Sequence, residues 1–296
     1  MSSVQREKSG SRFRSGDGAR ERVLAGLPVT ERRLELAGVS TAVLEGGAGP
    51  PMVLLHGPGA YGAAWLRVIP DLVTAHRVVA PDLPGQGAST VATGALGVDR
   101  VVAWLAELIE RTCASPPVLV GHTLGGAIAA RFASEDGERL SRLVLVDSLG
   151  LTSFEPAPAF GAALMGFLAQ PTPETHDDLW QQCSFDLARL RQALGSRSDA
   201  MTAYNLELAR TPAVAEAGGE LMELFAMPAI PPEALGRIAV PTTVIWGRHD
   251  LATPLRVAEA ACARYGWPLH VIEDAADDPT LDQPEAFLRV LDEGGL

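Results

Sequence analysis

Ten residues, VLVGHTLGGA at 118–127, limit what this chain can fold into more than any other stretch. An apolar strand-like run ends in a tight, Gly-flanked turn, and a helix-forming segment begins at once. In the pattern G-x-S-x-G, such a turn lifts a nucleophilic serine above a sheet. Here Gly121-His122-Thr123-Leu124-Gly125 puts a threonine at the apex.

The rest of the chain supplies the setting for that turn. RRLELAGVSTAVLEGG alternates apolar and polar residues around a glycine and reads as a hairpin over 32–45. Short, nearly continuous apolar runs follow at 51–57, 76–82, 117–122, 140–147, 242–247 and 269–274. Such runs indicate strands buried on both faces of a parallel sheet. Helix-period segments separate most of them, at about 62–75, 97–113, 124–135, 254–265 and 282–292. Strand and helix in alternation predict an α/β fold whose ligand chemistry lies at the carboxyl ends of the strands. Between 148 and 237 the alternation stops. That stretch is rich in Pro, Ala, Phe, Met and Leu, and its prolines (FEPAP, QPTPE, MPAIPP) cut it into short helices. It reads as a helical lid over a core made of 29–147 and 238–296.

Composition narrows the partners. A net charge of −12 and a pI near 5.0 argue against nucleic acid. No apolar run is long enough to cross a bilayer. Three scattered cysteines, Cys113, Cys183 and Cys262, make no disulfide framework, so a cytoplasmic monomer or homodimer is expected. Residues 1–28 are polar, Gly/Ser-rich and basic at first, and read as a tail too poor in apolar surface to fold.

Four landmarks stand in order: His56-Gly57-Pro58-Gly59, PDLPGQGAS (81–89), the Thr123 turn, and WGRHD (246–250). Together they resemble the α/β-hydrolase superfamily, in its lidded branch of esterases, C–C bond hydrolases, epoxide hydrolases and haloperoxidase-like enzymes. The resemblance covers about 30–296. It implies a mostly parallel eight-stranded sheet flanked by helices, with a nucleophile at Thr123, an acid at Asp250 and a histidine before the last helix. Counting back from DQPEAFL, that histidine position holds Asp277. The resemblance also implies an oxyanion hole from the N–H of Leu124 and of the residue after His56-Gly57. That residue is Pro58, which has no N–H, so a shifted Gly57 or Gly59 would have to serve.

None of the six histidines is an obvious replacement base. His76, His176, His249 and His270 fall at a strand start, in the lid, beside Asp250 and inside a strand. His56 and His122 flank the site and are candidate ligand contacts with Phe160, Trp180 and Phe225, although the plainer reading of both rings is structural. A carboxyl is a weaker base than imidazole by about 2.6 pKa units unless burial or a neighbouring charge raises it. The acidic run Glu273, Asp274, Asp277, Asp278, Asp282 and Glu285 also fits a solvated face or a helix cap. It matches no EF-hand, and neither metal nor cofactor is expected. Asp147, at the end of VLVD, reads as a loop anchor.

Three functions stay open for a small, largely apolar ligand. One is slow hydrolysis of an ester, lactone or C–C bond through Thr123. Another is non-hydrolytic acid/base chemistry (cyclisation, dehydration or isomerisation) through Asp250 and Asp277. The last is ligand binding without turnover.

Overall fold

A computed structural model describes residues 18–293 of the chain. A short helix, α1 (Ala19–Leu24), precedes the hairpin of β1 (Thr30–Leu36) and β2 (Val39–Gly46). The hairpin turns at Ala37 and Gly38, both at positive φ (45° and 74°), as a two-residue loop of matching twist requires. The α/β alternation then begins with β3 (Pro51–Leu55), α2 (Ile69–Ala75), β4 (Arg77–Pro81), β5 (Thr90–Val91) and α3 (Val98–Thr112). It continues through β6 (Val118–His122), α4 (Leu124–Asp136) and β7 (Arg142–Val146). After the insertion come β8 (Thr242–Gly247), α11 (Arg256–Tyr265), β9 (Leu269–Ile272), α12 (Pro279–Asp282) and α13 (Pro284–Glu293).

The sheet runs β1-β2-β4-β3-β6-β7-β8-β9, with the hairpin antiparallel and β4 through β9 parallel to one another along this path. A ninth strand, β5, adds two residues against the start of β2, where expectation had eight. Polar Thr90 and a half-buried Val91 are too short a run to show a period. One expected helix, 62–75, divides, and the last expected helix, 282–292, forms as α13 behind a separate short α12; a proline marks the boundary each time. Pro70 sits in the first turn of α2, leaving only a 3₁₀ turn at Gly62–Trp65 before it. Pro284 separates α12 from α13.

Both faces of the sheet are covered. α3, α4 and α11 bury Trp104, Leu105, Ile128, Phe132 and Cys262 on one side. On the other, α2 and α13 bury Ile69, Leu72, Phe287 and Leu291. The stretch between β7 and β8 is helical: α5 (Pro158–Ala169), α6 (Pro173–Cys183), α7 (Leu187–Leu194), α8 (Ser196–Ala209), α9 (Pro212–Leu221) and α10 (Pro232–Leu235). Four of these six helices carry the proline that opens their own bounds.

The tail expectation for 1–28 needs correcting where it can be examined. Residues 1–17 lie outside the described residues. The stretch 18–27 is built into the fold: Ala19, Val23 and Leu27 are buried in one cluster with residues of α8 and of 61–65. Ala19 and Val23 share one face of α1 and Leu27 follows its turn; together they were enough, and the charges between them hide the pattern.

Candidate active site

The elbow is built by what its neighbours lack. Thr123 sits at φ 46°, ψ −107°, a backbone region that a β-branched residue rarely occupies. Its N–H donates to Val146 O at 2.9 Å, and its carbonyl accepts from Ala127 and Leu149 N–H at 3.1 Å. A methyl group on Gly121 would lie 2.4 Å from Gly125 O, on Gly125 2.3 Å from Leu55 O, and on Gly126 2.4 Å from Ser148 Oγ. Those three glycines let α4 press onto β6 and β3, and the close approach forces the turn.

The Thr123 hydroxyl is enclosed, with the residue only 4% exposed, and Oγ1 has no hydrogen-bond partner among the described residues. It points toward Gly57, where an added methyl would lie 2.4 Å from Oγ1. Leu124 opens α4, so its N–H is one of the donors a helix start leaves free. The loop opposite is a turn in which Ala60 N–H donates to Gly57 O at 3.4 Å, with Gly59 at φ 66°. Pro58 at the second position and a positive φ at the third are type II chemistry. Pro58 is exposed and has no N–H, so it drops out as an oxyanion donor; Gly57 is the loop residue that meets Thr123.

His56 is corrected as a ligand contact. It is fully buried, its Nε2 accepts from Leu83 N–H at 2.9 Å, and its Nδ1 therefore donates to Gly57 O at 2.7 Å. Burial pushes its pKa down to about 3. The ring joins two loops and keeps no free nitrogen. His122 Nε2 donates to the Asp277 carbonyl at 2.5 Å, which leaves the Nδ1 lone pair beside Gly57. The ring also meets Trp65 edge-on.

The acid side is a group of carboxyls. Asp250 Oδ1 accepts from Ala252 and Thr253 N–H at 2.7 and 2.8 Å. Asp147 Oδ1 accepts from Gly247 N–H at 2.8 Å. The remaining oxygen of each, Oδ2, is buried with no N–H or O–H donor among the other described residues. Two carboxyls facing one another complete both oxygens by sharing a proton. Burial, offset in part by the two N–H donors and Asp147, raises Asp250 to about 7. Burial and the Asp250 charge raise Asp147 well above the carboxylate range. Asp277 is half-buried as a residue, but protein crowds its carboxyl, with Asp250 and the Cys183 thiol of α6 alongside. Burial first and Asp250 second push it well up.

Sequence reasoning thus placed Asp250 and Asp277 together but missed two members. Asp147 had a visible signal, a carboxylate closing a strand. Cys183 had none. Among the described residues, no group of three or more His, Cys, Asp or Glu is arranged to hold a metal ion. The solvated-face reading holds for Glu273, which pairs with Arg248 in the open. It fails for Asp278, whose Oδ1 caps α12, and for Asp282, whose Oδ2 accepts from Ala276 and Phe185 N–H.

The three aromatic ligand candidates do not converge. Phe160 packs with Leu179 and Ala252, Trp180 stacks on His176 within the insertion, and Phe225 belongs to the core against α4. Met165, on the outer side of α5, is 65% exposed. A cavity of about 20 Å³ lies among α6, α7 and α8 beside His176 and Trp180, and a cleft of about 110 Å³ lies between residues 148–155 and 252–257. Thr123 and Asp277 line neither.

With this architecture and elbow, the chain belongs to the α/β-hydrolase-fold family, whose model matches residues 50–283. It is 34% identical over 227 residues to the magnesium-chelatase 30 kDa subunit of Rhodobacter capsulatus, covering 73% of this chain and 76% of that one. It is 30% identical over 262 residues to a pimeloyl-[acyl-carrier protein] methyl ester esterase of Aeromonas hydrophila, covering 86% and 98%. The solved 2-hydroxy-6-oxo-6-phenylhexa-2,4-dienoate hydrolase of Rhodococcus sp. superposes with a TM-score of 0.77 at 27% identity, over 90% of this chain and 98% of that one.

Proposed function

We propose that this chain uses the hydrolase scaffold to bind a small, largely apolar ligand under the insertion 148–237, acting as a lid. There it exchanges protons with the ligand through Asp277, backed by Asp250 and Asp147. Hydrolysis through Thr123 is weak or absent. One observation carries this reading: among the described residues the Thr123 hydroxyl has no hydrogen-bond partner, while the group at the base's position is a carboxyl set among other carboxyls. A carboxyl whose pKa burial and a neighbouring acid raise well above its usual range holds a proton that it can give to a ligand oxygen, and its conjugate base can take one from a ligand carbon. It lacks the second ring nitrogen with which imidazole bridges a nucleophile and its orienting acid.

Fluorophosphonate labelling and a p-nitrophenyl ester panel test this. Thr123 is expected to stay unlabelled, with ester turnover near background and unchanged in Thr123→Ala. Turnover abolished by that substitution would establish hydrolysis instead. NMR titration of Asp277 adds the second arm, since an ordinary carboxyl pKa there removes the proton-transfer role.

A second reading has one observation behind it, the 34% identity to a magnesium-chelatase subunit. On that reading the scaffold holds a ligand within a larger assembly, without turnover. Added to a chelatase reaction, the chain would raise magnesium insertion, and Thr123→Ala would do so equally well.

A further inference from the structure

We propose that α1 is a strap that fastens the insertion to the loops beneath it, with Arg20 as the positioning residue that ties the three parts together. The inference is independent of the chemistry the site performs. The strap lies before residue 50, where the family match begins.

One guanidinium makes the connections. Arg20 Nη1 donates to Tyr204 Oη of α8 at 3.1 Å. Its Nη2 lies 2.9 Å from Asp82 Oδ2, in the loop after β4. Nε and Nη2 also hold Glu31 of β1 at 2.9 and 2.6 Å. Asp82 is fully buried and passes the restraint on, because its Oδ1 accepts from Gly62 N–H at 2.6 Å and its Oδ2 from Ala88 N–H at 2.7 Å. Gly62 ends the loop that begins at Gly57, against Thr123. Tyr61 in that loop meets Tyr204 edge-on, with ring centroids 4.7 Å apart. From α8, Arg197 returns a bond to Ala25 O at the end of α1 (2.6 Å).

The cluster has little freedom to rearrange. A methyl on Gly87 would lie 2.3 Å from Asp82 Oδ2, and Gly87 has φ 56°, so only glycine lets the 82–88 loop close this tightly. A buried carboxylate that loses its cation is costly and draws neighbouring groups into new positions. Without Arg20, α8 and the 57–62 loop keep their ring contact and lose the charge that joins them. The site's roof and the Gly57 wall then move apart as separate pieces.

Hydrogen exchange by mass spectrometry on the full chain tests the strap. In Arg20→Ala, amides of 196–209 and 57–65 are expected to exchange about tenfold faster or more, with β6, β7 and β8 unchanged. Adding Asp82→Asn removes the unpaired carboxylate, so thermal stability returns in part while α8 stays unprotected. Unchanged protection in α8 overturns the proposal. So does a uniform rise that includes β6–β8, because Arg20 would then support the whole fold rather than this junction. If Arg20→Ala does not fold, Tyr204→Phe carries the test. It deletes only the Arg20–Tyr204 bond, and a few-fold faster exchange confined to α8 is expected; no change in α8 overturns the strap.

Discussion

Asp82 and the Asp147–Asp250 pair are both buried acid sites past the carboxyl ends of strands of one sheet, β4 for the first and β7 and β8 for the second, yet they are built on different principles. Asp82 has a cation and two backbone donors, and every oxygen is occupied. Asp147 and Asp250 have backbone donors on one side each and only another acid for their remaining oxygens. Burial lifts the Asp82 pKa as well, but Arg20 and the two N–H donors pull against it, and a carboxyl so partnered is a fixed strut. Acids with nothing but each other hold protons, and the cost of holding them is what makes them available for transfer. The difference between the two sites separates structure from chemistry in this molecule.

The largest expected effect breaks the strut. Asp82→Ala leaves Arg20 with its burial and without its main partner, and should lower the unfolding free energy by about 3–5 kcal/mol in urea titration. A loss below about 1 kcal/mol would put Asp82 among ordinary surface pairs.

The proton-holding site is sharpened by pH. Asp250 (about 7), Asp282 (about 6), Asp147, Asp277 and, through its burial, Asp82 all bind protons more tightly folded than unfolded. Their stabilisation is complete below the unfolded carboxyl pKa and is lost as pH rises through the folded values. His56 works the other way: its depressed pKa makes its contribution fade as pH falls below about 6.5. His176, lowered first by burial, acts in the same sense as His56; the carboxyls outnumber the two rings, so the unfolding free energy should rise from pH 8 to pH 5.5, by about 1.4 kcal/mol per pH unit for each net proton held. Asp147→Asn offers Asp250 Oδ2 an N–H and keeps the bond from Gly247. It should stabilise the protein at pH 8 by about 1–3 kcal/mol and flatten the pH profile. An Asp147→Asn variant that is less stable at pH 8 contradicts the shared proton.

A smaller effect probes the wall between the two sites. Gly57→Ala drives a methyl into Thr123 Oγ1 and should cost about 1–3 kcal/mol. Combined with Thr123→Ala, which removes that oxygen, most of the loss should be recovered in a double-mutant cycle. Independent, additive losses would mean that the two side chains do not meet.

How much of this was legible beforehand follows the same division. The strands could be read because residues buried on both faces are mostly apolar, as Pro51–Leu55 and residues 244–246 are. The elbow could be read because its glycines have no substitutes. Asp250 and Asp277 could be placed from their order along the chain. What could not be read depends on contacts between distant residues. Arg20 looks like one charge among many in a polar stretch, and its partners stand 62 and 184 residues away. Nothing in the residues around Cys183 marks it as the neighbour of Asp277. The aromatic residues of the insertion were legible as buried or exposed only after their helices had docked, so Phe160, Trp180 and Phe225 were grouped by type and separated by packing.

The turn that holds Thr123 takes its form from the missing side chains of Gly121, Gly125 and Gly126, and from nothing at the apex itself. The apex is therefore an exchangeable part. A lineage, or an engineer, can replace the reactive group while the architecture stays whole, so a changed reaction need not wait for a changed fold.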